Sequence, residues 1–398
     1  MAIKKTIEIK PGAYEDAILG FRNHWYPGFK SDEVPEGEFK TLVLLGENLL
    51  VKRIDGEVYA VQDACAHRGY KFSEKLECYT KNSITCPVHA FTYNLKNGEL
   101  ITIPSDPDSH LIGKANLHSY PVQEVKGMVF IFVGDMNPPA PLIEDVPPGF
   151  LDDDLYLVPS VNVKCDCNWR IAADSGFDPN HIFMHKDNEM LDFLKFPFPI
   201  AAKIKGDDPF EEIEIVETEG GPKGLIDDLN ETIPVYEHTF ECDGEVGTMK
   251  SMFPPDPEGM AAQGYGSITG SLWLPGCLHV DPFPVPGMCH FEWWVPIDET
   301  THRYMITYGK RTSDPEERKQ FKQDVENVWY QQGYENFNRY DTILNNGMQE
   351  SYEDPNYLYG QHEALAKTDG YTLSWRRLAS KHNRGIQTRY GVKKKDKS

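Results

Sequence analysis

Two short segments, Cys65-Ala-His67 and Cys86-Pro-Val-His89, constrain this chain more than anything else in it. Each places a thiol and an imidazole on one loop, so two loops supply four sulfur and nitrogen ligands. Such a set holds either a tetrahedral zinc ion or an iron–sulfur cluster. The order of the ligands separates the two. Zinc fingers usually segregate cysteines from histidines, whereas here each loop repeats cysteine then histidine. A [2Fe-2S] centre in which two cysteines hold one iron and two histidines the other requires that repeat. The second loop continues as Ala90-Phe-Thr-Tyr-Asn-Leu-Lys-Asn-Gly98, an aromatic hairpin suited to pack beneath a cluster. The eight cysteines in 398 residues are too sparse for a disulfide scaffold. Cys165 and Cys167 form a second close pair, but no histidine accompanies them at ligand spacing, and they read as buried thiols.

The rest of the chain is organised around that motif. From Lys40 to Gly134 short strand patterns dominate, with Asp55-Gly56 between two of them as a hairpin signal. Residues 1–33 read as a short helical lead-in ending at the turn Tyr26-Pro27-Gly28. Proline-rich acidic sequence follows residue 137 and marks a linker. This predicts two domains, residues 1–140 and 155–390, the second mixing strands with helices over 171–184, 315–342 and 374–382. The fold class is α+β: an all-β N-terminal domain, then an antiparallel sheet packed by helices. The net charge of −22 excludes a nucleic-acid partner, which needs clustered Lys and Arg. No apolar run is long enough to span a bilayer, and the N-terminus lacks a signal peptide's apolar stretch, so a cytoplasmic protein is expected.

A cluster domain working alone as an electron carrier would need only about a third of this length. The sequence Asp178-Pro-Asn-His181-Ile-Phe-Met-His185 supplies a second candidate site, two histidines at i and i+4 on one face of a helix. With a carboxylate they make a facial triad that leaves iron positions open. Spacing alone does not choose that carboxylate. Asp324, Glu326, Glu335, Asp341, Glu350 and Glu353 all lie in helical surroundings. Asp178 precedes a proline and also suits a helix N-cap.

The block Cys-x-His followed by Cys-Pro-x-His-x-Phe-x-Tyr resembles the Rieske box of the non-haem iron aromatic-ring-hydroxylating oxygenases. Asn168-Trp169-Arg170 and Gly176-Phe177-Asp178-Pro179 resemble that family's mononuclear-iron motif. Many members space the two histidines five apart. Here they are four apart, as in the carbazole dioxygenase branch. Similarity to that branch extends through Phe21-Arg-Asn-His-Trp-Tyr-Pro27, Leu44-Leu-Gly-Glu-Asn-Leu-Leu-Val51, Trp273-Leu-Pro-Gly276 and Lys381-His-Asn-Arg-Gly-Ile-Gln-Thr388.

The resemblance implies a helix-grip catalytic domain, one Rieske [2Fe-2S] cluster on Cys65, His67, Cys86 and His89, and one Fe(II) on His181 and His185. It carries the third ligand to Asp341, after the Phe337-Asn338 pair. It makes Asp178 a bridge from a cluster histidine of one subunit to an iron histidine of the next, in a homotrimer. It places Ile182, Phe283 and Phe337 against a flat aromatic substrate, with the carbonyl of Gly176 facing a substrate N–H. It implies a ferredoxin donor fed by an NAD(P)H-dependent reductase, with O2 as co-substrate. The implied reaction is angular dioxygenation of carbazole and related heteroaromatics. A Rieske monooxygenase or demethylase would share every ligand and differ only in pocket and product.

Overall fold

Residues 24–133 build three small antiparallel sheets. β1 (His24–Lys30), β9 (Val122–Val125) and β10 (Met128–Val133) form the first, in the order β1-β10-β9. β2 (Phe39–Leu44), β3 (Glu47–Ile54), β4 (Glu57–Gln62) and β8 (Ser119–Tyr120) form the second, and β5 (Ser83–Thr85), β6 (Thr92–Asn94) and β7 (Leu100–Thr102) the third. This computed structural model describes residues 10–178, 181, 184–185, 188–194, 213–228, 237–242, 245–250, 268–354, 356–357 and 361–388.

The Asp-Gly hairpin forms as expected. Ile54 pairs with Glu57, and Asp55 (φ 56°) and Gly56 (φ 85°) both take the left-handed conformation that matches strand twist. The helical lead-in does not form. Among the described residues of this stretch only two 3-10 turns are helical, Tyr14–Asp16 and Ser31–Glu33, and Tyr26-Pro27-Gly28 lies inside β1. Proline is tolerated there because β1 is an edge strand whose ladder shifts register between Pro27 and Phe29.

Residues 63–118 leave the second sheet after β4 and return at β8. The pairs Ala60–Tyr120 and Val61–Ser119 bring the two ends of this excursion together. It has a core of its own: Phe72, Ile84, Tyr93, Leu95 and Leu100 pack on Leu50, Ile54 and Val61.

The second half carries a seven-stranded antiparallel sheet. It comprises β11 (Leu155–Cys165), β12 (Glu214–Glu217), β13 (Lys223–Asp228), β16 (Thr269–Trp273), β17 (Cys277–Asp281), β18 (Met288–Pro296) and β19 (His302–Arg311), in the order β11-β19-β18-β17-β16-β13-β12. β14 (Glu237–Cys242) and β15 (Glu245–Lys250) pair separately. Strand alternation gives the sheet two apolar faces. Trp294, Tyr304, Ile306 and Tyr308 face the helices, while Cys289, Phe291, Trp293, Val295 and Met305 join the core of β10. The linker therefore divides the chain without dividing the packing.

The helices are α1 (Trp169–Phe177), α2 (Glu189–Leu194), α3 (Pro315–Asp324), α4 (Arg339–Glu353) and α5 (Gly370–His382). Between α3 and α4 runs a π-helix, Val325–Asn338. Asp314 caps α3, accepting from the Glu316 and Glu317 N–H groups with Pro315 at the first turn. Side chains five apart meet along the π-helix, as in Gln331–Asn336 at 3.0 Å. A Cβ on Gly333 would fall 2.0 Å from the Tyr308 hydroxyl, so glycine lets this helix close on the sheet.

Candidate metal centres

The two cysteine–histidine loops are backbone copies of one another. Cys65 N–H donates to Tyr70 O and Gly69 N–H donates back to Cys65 O, both at 2.8 Å. Cys86 N–H donates to Phe91 O at 2.8 Å and Ala90 N–H donates back to Cys86 O at 2.9 Å. Gly69 (φ 74°) and Ala90 (φ 59°) turn their loops through the left-handed region. For the alanine that conformation costs roughly 1–2 kcal/mol. Both cysteines are buried, His67 is half-buried, and His89 is exposed.

The two imidazole rings face each other edge-on at 4.6 Å, and His67 stacks flat on Phe91. Tyr93 Oη lies 3.3 Å from Cys65 Sγ. Burial pushes the Cys65 thiol up, which favours a neutral thiol until a metal displaces the proton. Desolvation, then His89 and Arg68, hold the His67 imidazole below its usual value, in the neutral form that ligates. Two inner sulfurs and two outer imidazoles fit a cluster whose irons differ in ligand type and in burial.

The second constellation begins at α1. Asn168 caps it by accepting from Arg170 N–H, and its own amide donates to Ile18 O and Glu299 O at 2.9 Å each. Trp169 Nε1 donates to Ala17 O at 2.9 Å. These bonds fix where the helix starts. It ends at Phe177, not at residue 184 as the histidine spacing suggests. Asp178, standing before a proline, takes an extended ψ of 110° and is the C-cap of α1 instead of an N-cap. His181 and His185 sit on short 3-10 turns beyond it.

Those turns still bring the two rings together, 5.4 Å apart and nearly perpendicular. Asp341, in the first turn of α4, places Oδ1 3.7 Å from His181 Nε2 and 3.3 Å from His185 Nε2. One ligand atom from each of the three residues falls within 4.8 Å of the others, a separation that suits a single metal ion. Burial raises the Asp341 carboxyl, but His185 and His181 outweigh it and leave the group below its ordinary value, ionised and able to ligate. The outer ring nitrogen of His181 is held as a metal-binding histidine requires. His181 Nδ1–H donates to Asp178 O at 2.5 Å, and His185 Nδ1 lies 2.8 Å from the Asn188 amide.

The expected pocket residues fall unevenly. Phe337 stacks on His185 at 3.9 Å and Phe283 lies 5.5 Å from Phe337, both buried. Ile182 lies outside the described residues. Gly176 packs on Trp294, whose ring would be 2.3 Å from an added Cβ; the close approach it permits is between helix and sheet. Cys167 gains in space a histidine that its sequence neighbours lack, His302 Nδ1 at 3.6 Å from its Sγ, but both groups are buried in the sheet core. Sequence reading passed over Glu292, Asn338, His290 and Asn188. The available signal was Glu292 itself, a charge inside the run Phe291-Glu-Trp-Trp294.

Two family models match this chain: a Rieske [2Fe-2S] domain over residues 24–121 and a homotrimeric ring hydroxylase over residues 132–387. The chain belongs to the homotrimeric ring hydroxylases. This ring hydroxylase is 45% identical to the terminal oxygenase component of carbazole 1,9a-dioxygenase from Metapseudomonas resinovorans, over 95% of each chain. It is 38% identical to the corresponding component from a Sphingomonas species, over 94% of this chain and 95% of that one. Its fold superposes with a TM-score of 0.83 on the oxygenase in the reduced oxygenase–ferredoxin complex of carbazole 1,9a-dioxygenase, at 44% identity, covering 94% of this chain and 93% of that chain. The same score is found with the terminal oxygenase from Novosphingobium sp. KA1, at 40% identity, covering 94% of this chain and 96% of that one. The ring hydroxylase has a Rieske domain ahead of a catalytic domain, and its family carries a mononuclear iron at the catalytic site. No described helix is long and apolar enough to cross a membrane.

Proposed function

We propose that this protein is the terminal oxygenase of an angular dioxygenase, taking electrons from a ferredoxin and adding both atoms of O2 to carbazole or a related heteroaromatic. One observation carries the reading: a His181–His185–Asp341 donor set closes to 4.8 Å on the same chain as the paired Cys65/His67 and Cys86/His89 loops. When bound, the cluster supplies single electrons and the mononuclear iron supplies O2 activation.

The chain's own residues do the rest. Cys65 and Cys86, both buried, and His67 and His89, nearer the surface, would hold the cluster between them, within reach of a donor on the histidine side. His181, His185 and Asp341 would hold the iron, and a set of three protein ligands would leave it positions for O2 and substrate. Phe337 and Phe283 form an apolar wall that orients a flat ring and excludes water. Asp178 links the two centres across subunits of a homotrimer: its carbonyl holds the His181 Nδ1–H, and its carboxylate accepts an imidazole N–H from a cluster histidine of the next subunit. A cytoplasmic location goes with this reading, since a reductase that feeds the ferredoxin would draw on NAD(P)H.

The chemistry balances with two electrons and two protons per O2. Hydroxyls form on adjacent ring carbons, and where one of these carbons bears the nitrogen the product is a hemiaminal. Its carbon–nitrogen bond then breaks, the amine leaves with a proton, and the ring regains aromaticity. The test couples O2 uptake to product analysis with carbazole, dibenzofuran, dibenzo-p-dioxin and biphenyl in the presence of a reduced ferredoxin. Angular diols from the heteroaromatics are expected, and His181→Ala should abolish them while leaving the cluster's visible spectrum intact. Exclusive single-oxygen insertion or demethylation would replace this reading with a monooxygenase one.

A further inference from the structure

Glu292 stands in the middle of β18, among aromatic and apolar side chains, and is 4% exposed. A buried carboxylate persists only where donors surround it. Its Oε2 accepts from the Tyr304 hydroxyl. Its Oε1 accepts from Asn338 Nδ2 at 3.1 Å, and His290 Nε2 lies 2.9 Å from the same oxygen. The Asn338 amide has two hydrogens, and the second reaches Asp341 Oδ2 at 3.4 Å. Carboxylates only accept, so two of them fix the amide with its nitrogen between them. Asn338 Oδ1 is thereby left buried with no protein partner among the described residues. A network serving stability alone pairs all its members, because a half-satisfied one is worse than an apolar core. Here the unpaired oxygen is the consequence of pinning one amide between two carboxylates.

That pinning has a direction. Asn338 holds Asp341 Oδ2 from behind, and Oδ1 is the oxygen that approaches His181 and His185. We propose that Glu292 is a positioning residue of the iron site, acting through Asn338 to hold one oxygen of Asp341 and turn the other toward the metal. A carboxylate held in this way ligates through a single oxygen and leaves more of the iron open to O2 and substrate. The proposal rests on the reading of His181, His185 and Asp341 as the iron ligands.

A double-mutant cycle on Fe(II) binding tests it, using protein stripped of its mononuclear iron with the cluster retained. Glu292→Gln and Asn338→Ala should each raise the Fe(II) dissociation constant about 10-fold, the usual lower limit for losing an outer partner of a metal ligand. Because the first acts through the second, the double variant should bind no worse than the weaker single one. The electron-spin resonance signal of the Fe(II)–nitric oxide adduct should change in all three. Leu272→Ala, a core truncation in the same sheet, should leave affinity and signal alone. Unchanged binding in Glu292→Gln overturns the proposal, as do effects that multiply in the double variant. An equal loss in Leu272→Ala also overturns it by making the effect one of general loosening. If unaltered stripped protein takes up no Fe(II), the ligand assignment itself falls and takes this proposal with it.

Discussion

Asp178 commits its backbone before its side chain is considered. Its carbonyl accepts both the backbone N–H and the Nδ1–H of His181, and its N–H closes α1 against Ser175 O. Asp178→Asn leaves those backbone bonds in place and weakens only what the carboxylate does. Both metal sites should therefore fill normally. In a single-turnover experiment on pre-reduced protein, cluster reoxidation should slow by at least 10-fold, the scale on which outer partners of metal ligands act. Unchanged reoxidation would reduce Asp178 to its backbone role. The same division separates what could be read in advance from what could not. His181 and His185 were visible as a spacing, and so were the two cysteine–histidine loops, because each set is local in sequence. Asp341 is more than 150 residues away and was assigned only through resemblance. Glu292 and Asn338 meet across a strand and a helix, and no spacing rule describes that meeting.

At the scale of elements, the approach of α1 to β18 depends on one missing carbon. An alanine at position 176 would put its Cβ 2.3 Å from Trp294 Cζ2 and 2.4 Å from Cη2. Gly176→Ala should therefore cost about 1–3 kcal/mol by overpacking. Because α1 leads directly to Asp178 and His181, it should also lower iron occupancy. Gly347, in α4, has open space around its Cα, and Gly347→Ala should stabilise by about 0.4–1 kcal/mol. Opposite shifts in melting temperature, with iron content changed only in the first, would check both. The elements that sequence missed share a cause. β1 contains Pro27 and Gly28, and β11 contains Pro159 at a break in its register with β19, so both look like loops by composition. The long helical pattern from 315 was legible as helix but not as a π-helix, because side-chain periodicity does not reveal which carbonyl each N–H reaches. The break after Phe177 was written in the proline two positions on and was outweighed by the pull of the histidine spacing.

For the whole molecule, net charge misleads unless it is resolved in space. The total is −22, yet Arg68 and Lys71 flank the half-buried His67 and the exposed His89 with no acidic partner among the described residues. Lys75 and Lys81, on the same rim, are already paired with Glu77 at 2.7 Å and Asp55 at 2.5 Å. Fields reach only about 8 Å at physiological salt, so the first pair should steer a ferredoxin and the second should not. Reversing Arg68 and Lys71 to Glu should slow ferredoxin-driven turnover several-fold at low salt and less at high salt. Equal effects at both salts, or none, would place the donor elsewhere. Acid should act through the sheet core. Burial holds His279 down to about 3 and His302 to about 4, below the unfolded value near 6.5. The unfolded chain thus binds the extra protons, and stability that is full above pH 6.5 is lost as pH falls toward 4. His302, 1% exposed, should cost about 2 kcal/mol by pH 5 and the half-buried His279 less, and His302→Gln should flatten the fall in melting temperature between pH 7.5 and 5. The excursion of residues 63–118, which leaves and re-enters between two hydrogen-bonded strands and packs its apolar side chains on Leu50, Ile54 and Val61, has the layout of a cassette for the electron port. Recombination that exchanges it whole would give a lineage a new redox partner or a new cluster potential while the oxygen-activating body keeps its substrates.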